Sequence, residues 1–162
     1  MDTNLQAVTQ AIEETDTSEM KGKYLTFWTD GQFFGVPISD VVQIVGMQTV
    51  TEIPEFPQYA KGIINLRGEI IPVIDVRLRV GKTEVSYNER TCIIVTQMEE
   101  RSIGFIVDEV DSVLAINDEA IAPPPQISDN MNNFITGVGK LENKVVLLMD
   151  TRMMAGEAMS KQ

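Results

Sequence analysis

The chain repeats itself, and the register of that repeat limits the folds open to it more than any other feature. A displacement of 69 residues sets Tyr24–Gly35 on Ile93–Gly104, and Val41 and Ile44 on Val110 and Val113. A displacement of 75 sets Gly62–Gly81 on Gly137–Gly156 without a gap. Five of those twenty pairs are identical: Gly62/Gly137, Leu66/Leu141, Asp75/Asp150, Arg77/Arg152 and Gly81/Gly156. Most others are apolar on apolar, such as Ile70/Val145 and Val73/Leu148. The six additional residues of the second copy fall around Pro123-Pro124-Pro125. Alternating strands resemble one another by chance, but strand periodicity alone does not align glycines or an Asp-x-Arg pair.

Each copy is a run of short strands. Tyr24–Thr29 and Gln32–Val36 flank Asp30-Gly31, the strongest short hairpin signal in the chain. Pro37 closes the second strand, Val41–Val45 supplies a third, and Pro54 and Pro57 punctuate the loop before Ile63-Ile64 and Ile70–Ile74. Asp75 and Gly81 stand at the N-cap and C′ positions of a one- to two-turn helix, and Asp150 repeats the N-cap. The expectation is an all-β chain of two five-strand units, about 24–81 and 92–156, each a small closed barrel. A barrel of roughly 60 residues buries too little surface to be comfortable alone. The two should therefore share a hydrophobic core and leave a seam between them, with exchange of terminal segments between barrels left open.

The ends read differently. Residues 1–23 are polar and acidic, with a weak helical pattern through Ala7, Val8, Ala11 and Ile12. They are expected to form a flexible tail, the alternative being a partner-binding helix. A short helix containing Met153-Met154 closes the domain, and 157–162 form a C-terminal tail.

Charge and residue usage exclude most chemistry. Thirteen Lys and Arg face 24 Asp and Glu, a net charge of −11. Nucleic acids and anionic membranes are bound through Lys and Arg, so both are poor partners for such a chain. The chain contains no histidine, which removes the commonest general base, the usual nucleophile pairs and most zinc sites. The single cysteine, Cys92, lies in an apolar run and reads as a buried, inert thiol. No apolar run approaches the ~18 residues that span a bilayer, and the acidic N-terminus is unlike a signal peptide. Asp108, Glu109 and Asp111 lack EF-hand spacing and read as a solvated acidic edge that discourages strand association. No cofactor, metal site or catalytic residue is expected. An oligonucleotide- or ligand-binding barrel would need a basic face with stacking aromatics, and a carboxylate hydrolase would need an acid–base pair.

One turn stands apart. In GIINLRGEIIPVIDVR, residues 62–77, Arg67 occupies a hairpin where Asn-Gly or Asp-Gly would be tighter. Its counterpart in the second copy is Glu142, with Asn143 suited to the left-handed position taken by Gly68. Since the turn tolerates either charge, the fold does not demand arginine. Arg67 is either an ordinary surface charge or a forked donor for a partner's carboxylate or carbonyl.

The segment Tyr59–Arg77 resembles the signature of the CheW family of chemotaxis coupling proteins. The resemblance continues through Phe34–Ile44, Gly104–Leu114, Ala120–Pro124 and Phe134–Val138, spanning about 24–154. It implies two SH3-like five-stranded β-barrels with a shared interior, short helices and no enzymatic activity. It also implies a cytoplasmic adaptor, recruited to the inner membrane face through receptors. Such an adaptor joins methyl-accepting chemoreceptor tips, which are helical hairpins, to the regulatory domain of the histidine kinase CheA. Carried over by position, the functional arginine falls on Arg67, flanked by Gly62, Asn65 and Gly68. The receptor groove would draw on Ile38, Val41 and Ile44. Gln43 stands where the family commonly has glutamate, so a bond from Arg67 would lose its charge assistance. Because the sequence stops at Gln162, a free-standing coupler is expected rather than a CheV-type chain with a receiver domain.

Overall fold

The computed structural model describes residues 3–14 and 20–160, side chains of 3, 4 and 157–160 excepted. Helix α1 (Thr3–Glu14) precedes strands β1 (Lys23–Thr29), β2 (Gln32–Pro37), β3 (Val41–Gly46), β4 (Ala60–Leu66) and β5 (Glu69–Asp75). Helix α2 (Val76–Arg79) ends the first copy. The second contains β6 (Cys92–Met98), β7 (Arg101–Val107), β8 (Glu109–Ala115), β9 (Ile121–Ala122), α3 (Asp129–Asn132), β10 (Ile135–Lys140), β11 (Val145–Met149) and α4 (Thr151–Ser160). The twin caps are present: Asp75 accepts from the amides of Arg77 and Leu78, and Asp150 from those of Arg152 and Met153.

The strands form a six-stranded sheet, β8-β1-β2-β11-β10-β9, and a five-stranded sheet, β3-β6-β7-β5-β4. Neither coincides with a contiguous half of the chain. Each takes the first hairpin of one copy and the remaining strands of the other. The joints are parallel pairings, β2 with β11 and β5 with β7, and antiparallel pairings, β1 with β8 and β3 with β6. Short β9 brings the first sheet to six.

This interleaving explains the unbroken apolar runs. Along β6, Ile93 and Val95 pack in an interior with Ile64, Ile71, Val73 and Ile106. The alternate residues Cys92 and Ile94 enter a larger core with Phe27, Phe34, Phe105, Leu147 and Met149. Along β11, Val146 and Leu148 line a third cluster with Phe33 and Ile116. Successive side chains leave opposite faces of a strand, so a strand with one face in its own sheet's interior and the other in the shared core must be apolar throughout.

Polar contacts lock the sheets together. Arg77, at the start of α2, donates Nε and Nη2 to the two carboxylate oxygens of Asp108 at 3.0 and 2.7 Å, and Nη1 to Asp30 at 3.0 Å. These bonds hold its guanidinium above the usual arginine range, the Asp108 hydrogen bond being the largest cause. Asp108, expected as part of a solvated edge, is therefore half of a forked ion pair. Its neighbour Asp111 accepts from the Trp28 indole at 3.4 Å. The repeat is visible here too: Arg152 bonds Glu99 at 3.1 Å. Glu99 is the left-handed turn residue of the second copy, as Asp30 is of the first.

The N-terminal expectation needs correction. Residues 3–14 form a helix rather than a flexible tail, and Leu5 and Val8 are buried at 5% and 3% exposure, with Ile12 partly buried beside them. Spacing of three and four residues sets these side chains on one helical face. That face lies against β8 and β3, the first strand of each sheet. Sheet edges left open invite strand pairing, and here a helix covers both. At the other end, Thr151–Ser160 is one helical run interrupted at Gly156, whose φ is +51°. The last two residues of the expected C-terminal tail lie outside the described residues.

Candidate partner-docking site

The residues singled out around Arg67 are brought together, but with unequal access. Arg67 and Gly68 connect β4 to β5 as a two-residue turn with φ of +55° and +91°. Asp30 and Gly31 form the same kind of turn, at +52° and +74°. The Arg-Gly turn is therefore as tight as the Asp-Gly turn. What differs is strain, because a long side chain in the left-handed region costs roughly 1–2 kcal/mol. Asn65 closes the turn, its Oδ1 accepting from the Gly68 amide at 2.8 Å. Arg67, Gly68 and Asn65 are all exposed.

The second copy is not the control it promised to be. Asn143 does not have positive φ. Strand β10 stops at Lys140 and β11 starts at Val145, so the chain spends four residues on that connection. That connection is closed by the Leu141 amide donating to the Lys144 carbonyl at 2.9 Å and contains no left-handed residue, so Glu142 stands in a different geometry from Arg67.

Gly62 sits where β4 slips register against β5. Its φ is +146°, and a Cβ there would lie 2.0 Å from the Thr51 carbonyl oxygen. Thr51 and Ile63 exchange backbone hydrogen bonds at 2.8 and 2.9 Å. Gly62 therefore lets the 47–59 loop cross β4 closely, and in doing so fixes the base of the Arg67 hairpin.

Of the expected groove residues, Ile38 is fully buried, while Val41 and Ile44 are 8% and 6% exposed. None is openly exposed; Val41 and Ile44 share the large core with Leu5 and Val8 of α1. A groove of about 920 Å³ does remain. One wall carries Gln43, Ile44, Gly46, Asn65 and Arg67; the other is α1, through Gln6, Gln10, Glu13 and Glu14. Sequence reading missed that second wall. The signal was Leu5, Val8 and Ile12, obscured by the surrounding polar residues.

No described helix is long and apolar enough to cross a membrane. Among the described residues no cluster of three or more carboxylate or thiol side chains could hold a metal ion. A paired-sheet body with an exposed, strained arginine hairpin beside a groove has the form of a binding scaffold. The comparisons with known proteins give that class its family. The family model for the CheW-like domain matches residues 23–158. The chain therefore belongs to the CheW family, the non-catalytic scaffold and coupling proteins of chemotaxis. It is 34% identical over 140 residues to the chemotaxis protein CheW of Klebsiella aerogenes, covering 85% of this chain and 84% of that one. It is 30% identical over 137 residues to the CheW of Bacillus subtilis, covering 83% and 88%. Among solved structures it is similar to the scaffolding protein TtCheW of Thermoanaerobacter tengcongensis. That match has a TM-score of 0.74 and 34% identity, covering 80% of this chain and 88% of that chain.

Proposed function

We propose that this chain couples methyl-accepting chemoreceptors to the regulatory domain of the histidine kinase CheA in the cytoplasm, with the Arg67 hairpin as a contact. The observation that carries the reading is the pairing of exposure with strain. Arg67 is a long side chain on a left-handed backbone, in a turn where asparagine or glycine would relieve the cost. Its forked guanidinium faces solvent, fit for a carboxylate or helix-end carbonyls of a partner. Asn65, Gly68 and Gly62 serve by fixing that turn, and Gln43 and Ile44 by lining the adjoining groove. Ile38 and Val41 support the groove from beneath. Because Gln43 is uncharged, it does not neutralise Arg67 across the groove they share.

The test is co-sedimentation of the wild-type chain and Arg67→Ala with a receptor signalling fragment and CheA, reading kinase phosphorylation. The variant is expected to fold normally and lose binding about tenfold or more. Full-strength binding to both partners would reduce the hairpin to ordinary surface.

A further inference from the structure

We infer that α1 is a displaceable cover on the helix-docking trough, held where a partner's helix must lie. This inference rests on the receptor-docking reading above. Four observations lead to it. Helix α1 lies along both β8 and β3, the first strand of each sheet, and so bridges the place where the two sheets meet. Val41 and Ile44 of β3 and Val110 of β8 are buried in the same core cluster as Leu5 and Val8. Leu5 also lines the adjoining cavity with Gly46, Met47, Cys92 and Val110. Finally, the polar face of α1 forms the second wall of the Arg67 groove, with Glu13 and Glu14 across from the arginine. A helix in that place supplies what an incoming amphipathic helix would supply: apolar residues spaced three and four apart, and carboxylates toward the cation.

The hold is weak by construction. Two fully buried side chains anchor twelve helical residues whose exposed face is polar. An isolated helix of that length is marginal in water, so α1 depends on docking for its own order. A partner helix presenting a longer apolar stripe to the same floor wins by the difference in buried area. The occupant is thus an amphipathic receptor helix, and α1 sets the threshold it must exceed.

Hydrogen exchange on the intact wild-type chain tests this, with and without saturating receptor-tip hairpin fragment. Amides of residues 3–14 are expected to exchange at least tenfold faster in the complex, since displaced α1 loses its protection. In parallel, the full-length double variant Leu5→Asp/Val8→Asp should bind the fragment at least tenfold more tightly than wild type. If the fragment binds wild type while α1 keeps its protection, the cover is refuted and the coupling function stands. Equal affinity of a folded double variant refutes it likewise. If neither chain binds the fragment, the docking reading falls and takes this inference with it.

Discussion

Replacing Arg67 with asparagine should make the protein more stable and less functional. At φ of +55° an arginine gives up roughly 1–2 kcal/mol relative to a residue at ease in the left-handed region. Asparagine is among the few side chains enriched there, and Asn-Gly is the favoured pair for a two-residue hairpin turn. The Cβ direction and the Asn65 bond to Gly68 are unaffected by the exchange. The net gain should be about 1 kcal/mol, which in a chain of this length raises the melting temperature by about 2–4 °C. Thermal and urea unfolding measure it. Glu142→Asn is the control: that turn contains no left-handed residue to relieve, so no gain is expected. If Arg67→Asn melts at or below wild type, strain is not stored at Arg67, and the inference from strain to function loses its support. If it is stabilised but binds receptor and kinase undiminished, the arginine serves no partner.

Two other predictions concern the body of the fold. Asp75 is 2% exposed and accepts from two amides and from the Tyr87 hydroxyl at 2.8 Å. Asp75→Ala should therefore cost about 2–4 kcal/mol, since buried donors are left unmade. Asp150→Ala, an N-cap alone, should cost about 1 kcal/mol by the same urea measurement. Burial, followed by the hydrogen bond to and charge of Asp75, lifts the Tyr87 phenol well above its ordinary range. Below pH ~10 the phenol is neutral in both states; above it the unfolded state ionises while the folded state does not. That residue thus removes up to about 1.4 kcal/mol per pH unit as pH rises past 10. Tyr87→Phe should flatten the fall in urea midpoint between pH 9 and 11, and an unchanged slope would refute the assignment.

Much of this architecture was legible because the repeat preserves residues with single structural uses. The Asp-x-Arg pairs mark two helix caps and two ion-pairing arginines, Arg77 and Arg152. Continuous apolar runs at Ile71–Ile74, Cys92–Val95 and Val146–Met149 reported strands buried on both faces, while Ile70 and Val145 at the run starts are exposed. What the residues could not report is which copy's strand pairs with which. Near-identical edges make β1 as fitting a neighbour for β3 as for β8, so only tertiary closure decides. The left-handed φ of Arg67 was also hidden, because propensity argues against an arginine there. Helix α1 was legible only as the alternative to a flexible tail, for the opposite reason. Its burial depends on a trough assembled from residues 41–46 and 109–115, and no local pattern announces a distant partner.

The exchange of strands bears directly on how such a scaffold transmits anything. Pulling the sheets apart would break the Arg77–Asp108 fork and the shared core, and pulling the two sequence copies apart would break four strand pairings as well. Motions of that size cost a large part of the whole folding free energy, which for domains of this kind is about 5–15 kcal/mol. The body therefore acts as one rigid piece. The adjustable part is peripheral: a short helix held by two side chains, above a trough whose floor belongs to both sheets. Rigidity in the sheets and weakness in the cover are complementary, since only a stiff floor lets a small difference in helix affinity decide which helix is seated.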